Sequence, residues 1–187
     1  MDALAEALET ADTLVHLHGS YFPKSAWTAL LGFLGRGGNL LHIGGTPLRI
    51  PVYRDGEKWR CEHEQTAYHQ KLNIHEALPV DPSPIARYAA SEHIPLLAGH
   101  EELFGVQPTV GFVLHATKAD DHPGEGGPSG PMDAHIHALL KGVSEQGREV
   151  AAPAVLLENT KGDFAGGRWL FVNLAPEEAL WSADGLG

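Results

Sequence analysis

The chain has 187 residues, 43% of them apolar, and a formal net charge of -11. That is the length of one ordinary domain with enough apolar content for a core. The acidic balance argues against a nucleic-acid partner, which needs a basic face. No apolar run approaches the ~20 residues of a membrane span.

Taken in chain order, Asp2 can cap a short helix through about Glu9, with Leu4 and Leu8 on one side. "TLVHLH" (Thr13–His18) reads as a strand. Pro23 suits the first turn of a following helix, where its missing N–H costs nothing. Trp27, Leu30, Leu31 and Leu34 fall at i, i+3, i+4 and i+7, one apolar stripe. Gly37 and Gly38 can end this helix in a left-handed turn. "NLLHI" (Asn39–Ile43) is a nearly all-apolar strand of the kind buried on both faces of a parallel sheet.

After Gly45 the texture changes. "PVYRDGEKW" predicts a hairpin with Asp55-Gly56 as its two-residue turn. "EQTAYHQKL" (Glu64–Leu72) predicts a short helix, and Asp81 to Gly105 one or two short helices and loops. "TVGFVLHATK" (Thr109–Lys118) reads as a strand. Residues 119–133, around "DDHPGEGGPSGPMD", read as a flexible loop, because Gly and Pro offer little packing surface. "AHIHALL", "REVAAPAVLLEN" and "RWLFVNL" predict three strands, the last two joined by "TKGDFAGG" as a hairpin. "PEEALW" can close with a helical turn. The fold class expected from this order is α/β: a flavodoxin-like open sheet with mostly parallel core strands and added antiparallel strands in the C-terminal third.

Sites in open α/β sheets form at the carboxyl ends of the strands. Two such ends are His18-Gly19-Ser20 and Gly44-Gly45-Thr46. At the second, a nucleophile elbow would place Ser or Cys on a tight turn opening a helix. Here stands Thr46, β-branched and followed by Pro47, which fits a strained φ > 0 turn poorly. The bland reading is a structural turn.

The segment "ADTLVHLHGSYFPKSAWTALLGFLGRGGNLLHIGG" resembles the core of class I glutamine-amidotransferase-like domains. It is most similar to the degenerate type found in bacterial glycoside hydrolases, such as the β-galactosidase trimerisation domain. Gly44-Gly45, Pro47, Pro51-Val52 and Trp59, and later "GRWLFV", continue the likeness. It is clear from Ala11 to about Tyr53 and looser beyond. Active members carry a cysteine at the elbow and a downstream His-x-Glu pair. Thr46 takes that elbow position, so the resemblance implies no catalytic residue and no cofactor. It implies a single amidotransferase-like domain over 1–187, part of a longer chain with a further strand ahead of Asp2. Such a domain serves packing or oligomerisation in a cytoplasmic carbohydrate-active enzyme. Its partner is the catalytic domain of the same parent chain or another subunit, with carbohydrate as a further partner and neither nucleic acid nor membrane.

The chemistry-bearing residues leave alternatives open. Twelve histidines is high for this length. "HLH" (His16, His18) and "HIH" (His135, His137) each place two imidazoles on one side of a strand. They can ligate a metal if a third ligand converges, or simply hydrogen-bond within a sheet. Cys61, His63, His69 and His75 lack the spacing of a zinc motif, and Cys61 is the sole cysteine, so no internal disulfide forms. Glu62, Glu64 and Glu76 could supply a glycosidase acid pair, about 5–9 Å apart, or be solvated acids. Tyr21, Phe22, Tyr53, Trp59 and Tyr68 could pack or stack on sugar rings, whereas Trp27 and Trp169 read as core. The alternative to an accessory domain is a sugar- or metal-binding module using His18, Ser20, Tyr21 and Thr46, or an amide or ester hydrolase at the same strand ends.

Overall fold

The computed structural model describes residues 3–17, 19–44, 47–65, 67–68, 71–72, 76–80, 83–91, 111–115 and 134–172. Four of the first five elements stand where expected, with the first strand two residues shorter, and Tyr21–Pro23 is a strand the sequence did not suggest. Helix α1 spans Ala3–Thr10, strand β1 Thr13–His16, β2 Tyr21–Pro23, helix α2 Trp27–Gly35 and β3 Asn39–Ile43. Pro23 stands one turn earlier than predicted, at the end of β2, and leads into a 3-10 turn at Lys24–Ala26 that opens α2. The helix buries Leu30, Phe33 and Leu34; Phe33 was absent from the predicted stripe. It ends where Gly37 adopts φ 80°, a left-handed conformation that a side chain resists.

The remaining strands are β4 (Ile50–Asp55), β5 (Lys58–Cys61), β6 (Glu76–Val80), β7 (Arg87–Ala90), β8 (Gly111–His115), β9 (Ala134–Val143), β10 (Glu149–Asn159) and β11 (Arg168–Val172). The β4–β5 hairpin forms as expected, but Asp55 pairs with Lys58, so its turn is Gly56-Glu57. Among the described residues of Glu64–Leu72 there are turns and no α-helix, and a strand, β7, stands where short helices and loops were expected. The loop at 119–133 and the closing "PEEALW" lie outside the described residues.

The flavodoxin-like expectation is overturned. The principal sheet has the order β1-β3-β11-β10-β9-β7. β1, β3 and β11 run parallel, while β11, β10, β9 and β7 are antiparallel neighbours. A second mixed sheet, β2-β4-β5, and an antiparallel β6-β8 pair complete the described strands. Among the described residues there are two α-helices, too few for a doubly wound core. The physical reason is local: side-chain alternation specifies which face a strand buries, not which neighbour it takes or in which direction.

Register defines the faces. One row across the sheet is Leu14, Leu40, Trp169, Leu157 and Ile136; the next is His16, His42, Phe171, Val155 and Ala138. These rows meet Leu8, Leu30, Phe33 and Leu34 of the two helices in the main core. The Trp169 indole donates to Gly38 O at 3.1 Å, so its burial leaves no polar atom orphaned. The opposite face carries Val15, Leu41, Leu170, Leu156 and His137 in one row. "NLLHI" is therefore not buried evenly: Leu40 and His42 are buried, and Asn39, Leu41 and Ile43 are half-buried.

Candidate functional site

The strand-end site is built by β1, β3 and the turns that follow them. Gly19 N donates to Ile43 O, and Gly44 N donates to Val172 O at 2.8 Å, so both turns are tied to the sheet. Gly44 takes φ 82°, the tight bend expected of a glycine pair. Ser20 O accepts from Arg49 N and Ile50 N, which starts β4 beside β2. Leu48, fully buried, holds φ 51°. A bulky residue there is strained and persists because the core traps its side chain.

Of the predicted site residues, Ser20 is half-buried at this turn and Tyr21 is exposed at the start of β2. His18 and Thr46 lie outside the described residues. The structure instead joins His16 and His42, which sequence alone could only place on adjacent strands. Their Nδ1 atoms are 3.0 Å apart and their rings stack, with centroids 5.0 Å apart. His42 is fully buried, and its Nε2 lies 2.8 Å from Gly44 O. A carbonyl only accepts, so His42 donates from Nε2. A neutral His42 then accepts at Nδ1, and His16 donates from its own Nδ1. Position in the register explains the pairing: Cα partners His16 and His42 share the inner face.

The other histidine pair has a different character. Register puts His135 and His137 on the outer face, as expected. His137 Nε2 donates to Glu158 Oε2 at 3.0 Å, and Arg168 Nε binds Glu158 Oε1 at 3.1 Å. Among the described residues no group of three or more His, Cys, Asp or Glu side chains could hold a metal ion.

Two of the three predicted carboxylates, Glu62 and Glu64, are likewise engaged; the Glu76 side chain lies outside what the structure describes. Glu62 accepts from Lys24 Nζ and Gln65 Nε2, and Glu64 pairs with Arg49 at 2.7 Å. The Lys24 hydrogen bond holds the Glu62 carboxyl below its ordinary value, and Glu62 in turn raises Lys24. Glu62 N also donates to Pro51 O. These contacts fasten residues 62–65 along β4. Cys61 and His63 are exposed, while His69 and His75 lie outside the described residues.

The aromatics divide as the packing dictates. Phe22, Trp27 and Tyr68 form an aromatic cluster on the core, with centroids 4.9–5.7 Å apart and Tyr68 edge-to-face with the other two. Tyr21, Tyr53 and Trp59 are exposed. Register places Tyr21, Ile50, Pro23, Val52, Cys61, Arg54 and Trp59 on the outer face of the three-stranded sheet, opposite buried Phe22 and Pro51. Tyr53 and Arg60 belong to the inner side, beyond the edge of the core.

A scan of protein-family models, a search of curated proteins and a search of solved structures each find no match to this chain. Among the described residues no helix is long and apolar enough to cross a membrane.

Proposed function

We propose that this chain is a non-catalytic packing domain that associates with other protein surface, as an accessory part of a larger carbohydrate-active enzyme. One observation carries the packing role. Val15, Leu17, Tyr21, Tyr53 and Trp59 are exposed by 52%, 58%, 46%, 41% and 61%, and all five come from the segment running from β1 to β5. Tyr21 and Trp59 share the outer face of the three-stranded sheet, Val15 and Leu17 stand exposed along β1, and Tyr, Trp and Arg are the residues that dominate interface energetics. Arg54 stands beside Trp59 in the register.

A flat sugar platform is favoured less, because it needs its rings on one plane. The register separates Tyr53 from Tyr21 and Trp59. The glycoside-hydrolase parent rests on the resemblance of Ala11–Tyr53 alone. The packing role is tested with a hydrophobic dye such as bis-ANS on the folded chain. Strong fluorescence, reduced at least twofold by combining Leu17→Ser, Tyr21→Ser and Trp59→Ser, is the expected result. A folded chain that leaves the dye dark overturns the reading.

A further inference from the structure

We infer that β1 is a pairing edge, and that the surface it meets is β1 of a second copy, antiparallel about a two-fold axis. This deepens the packing role and rests on it. Among the described residues β1 ends the six-stranded sheet, and an edge strand presents backbone donors and acceptors to whatever lies beside it. Soluble proteins protect such edges with charge or proline. β5 carries Lys58 and Arg60, β7 carries Arg87, and β2 ends on Pro23. Thr13–Leu17, "TLVHL", carries neither a charge nor a proline. It is apolar on both faces, with Leu14 toward the core and Val15 and Leu17 toward solvent. That is the composition of an interior strand, set at an edge.

The segment's neutrality and its self-complementary register fit a second copy as the occupant. In a chain of net charge -11, a two-fold contact over most of the surface would bring acidic groups together. The neutral Thr13–Leu17 segment avoids this. It is also self-complementary. Antiparallel pairing centred on Val15 sets Val15 against its equivalent, Leu14 against His16 and Thr13 against Leu17, with no like charges opposed. The contact is isologous and closes at two copies, joining two six-stranded sheets edge to edge.

The test uses all 187 residues of the sequence. Sedimentation equilibrium should show a monomer–dimer equilibrium. Val15→Lys should raise its dissociation constant at least tenfold with an unchanged circular dichroism spectrum, whereas Trp59→Ser should not. In a Cys61→Ser background, Val15→Cys should give a disulfide-linked dimer under mild oxidation, because antiparallel partners sit about 4.5–5.5 Å apart between Cα atoms, within disulfide reach. Trp59→Cys in that background should not. A dimer that is lost with Trp59→Ser, or that cross-links through position 59 and not 15, overturns the pairing mode while the packing role stands. A strict monomer that still lights bis-ANS also overturns the pairing and leaves the packing role. A strict monomer that leaves the dye dark removes both.

Discussion

At the scale of single residues, the clearest electrostatic device is the Lys24–Glu62 pair. Lys24 follows β2 and Glu62 follows β5, so the pair spans the small sheet. Glu62 titrates below its ordinary value because it accepts from Lys24. A lowered carboxyl binds fewer protons folded than unfolded, so its contribution is present above the unfolded value and fades as pH falls through the folded one. Lys24 is raised, so its share is present below the ordinary value of 10.5 and is lost as pH rises through the folded value. Replacing Lys24 by Met should therefore move the NMR titration midpoint of the Glu62 carboxyl upward, and added salt should move the wild-type midpoint the same way. An unmoved midpoint in Lys24→Met would show that the ion pair does not set the carboxyl's affinity. The charges themselves could be read from the sequence as solvated acids and bases; their partner could not, because 38 residues separate the two. His16 and His42 show the same limit. Alternation placed each on a strand, but only the parallel register brought the two Nδ1 atoms together.

At the scale of elements, local chemistry was the better guide. Helix α2, strand β3 and the glycine stop between them follow from apolar spacing and from the conformational freedom of Gly37. Gly38 has a different reason to be glycine. A Cβ there would sit 2.5 Å from the Phe33 ring, which is itself buried, so the ring or the backbone must shift. Gly38→Ala should cost about 1–3 kcal/mol of stability, the usual penalty for overpacking, measured as a lower urea midpoint at unchanged slope. Stability within a few tenths of a kcal/mol of wild type would mean that the helix end adjusts freely. Where turn chemistry competes with pairing, the sequence was off by one residue. Asp55-Gly56 has the composition of a hairpin turn, yet Gly56 takes the first turn position at φ 63° and leaves Asp55 in the ladder, where it pairs with Lys58 and accepts from Arg60. β7 was not read as a strand at all. Its four residues, RYAA, are too few to show alternation, and their pairing partner is β9, more than forty positions away in sequence.

At the scale of the whole molecule, β11 decides the architecture. It lies parallel to β3 on one side and antiparallel to β10 on the other. It thus joins the N-terminal helix-and-strand unit to the C-terminal meander. Nothing in "RWLFV" reveals this double role, since an alternating strand looks the same beside either neighbour. That is why the parallel expectation failed although most of the individual strands were legible. The junction is concentrated in Trp169. It is fully buried, packs on Phe164 with centroids 5.2 Å apart, stands between Leu40 and Leu157 in the register, and donates to Gly38 O across 131 positions of sequence. If β11 welds the two halves into one cooperative unit, removing this side chain should weaken both together. Trp169→Ala should cost about 3–5 kcal/mol, and amide hydrogen exchange should then show β1 and β10 opening at the same denaturant concentration. Exchange that opens β1 and β3 while β9 and β10 stay protected would mean the halves are separate folding units, with the parallel contact between β3 and β11 a docking of one onto the other.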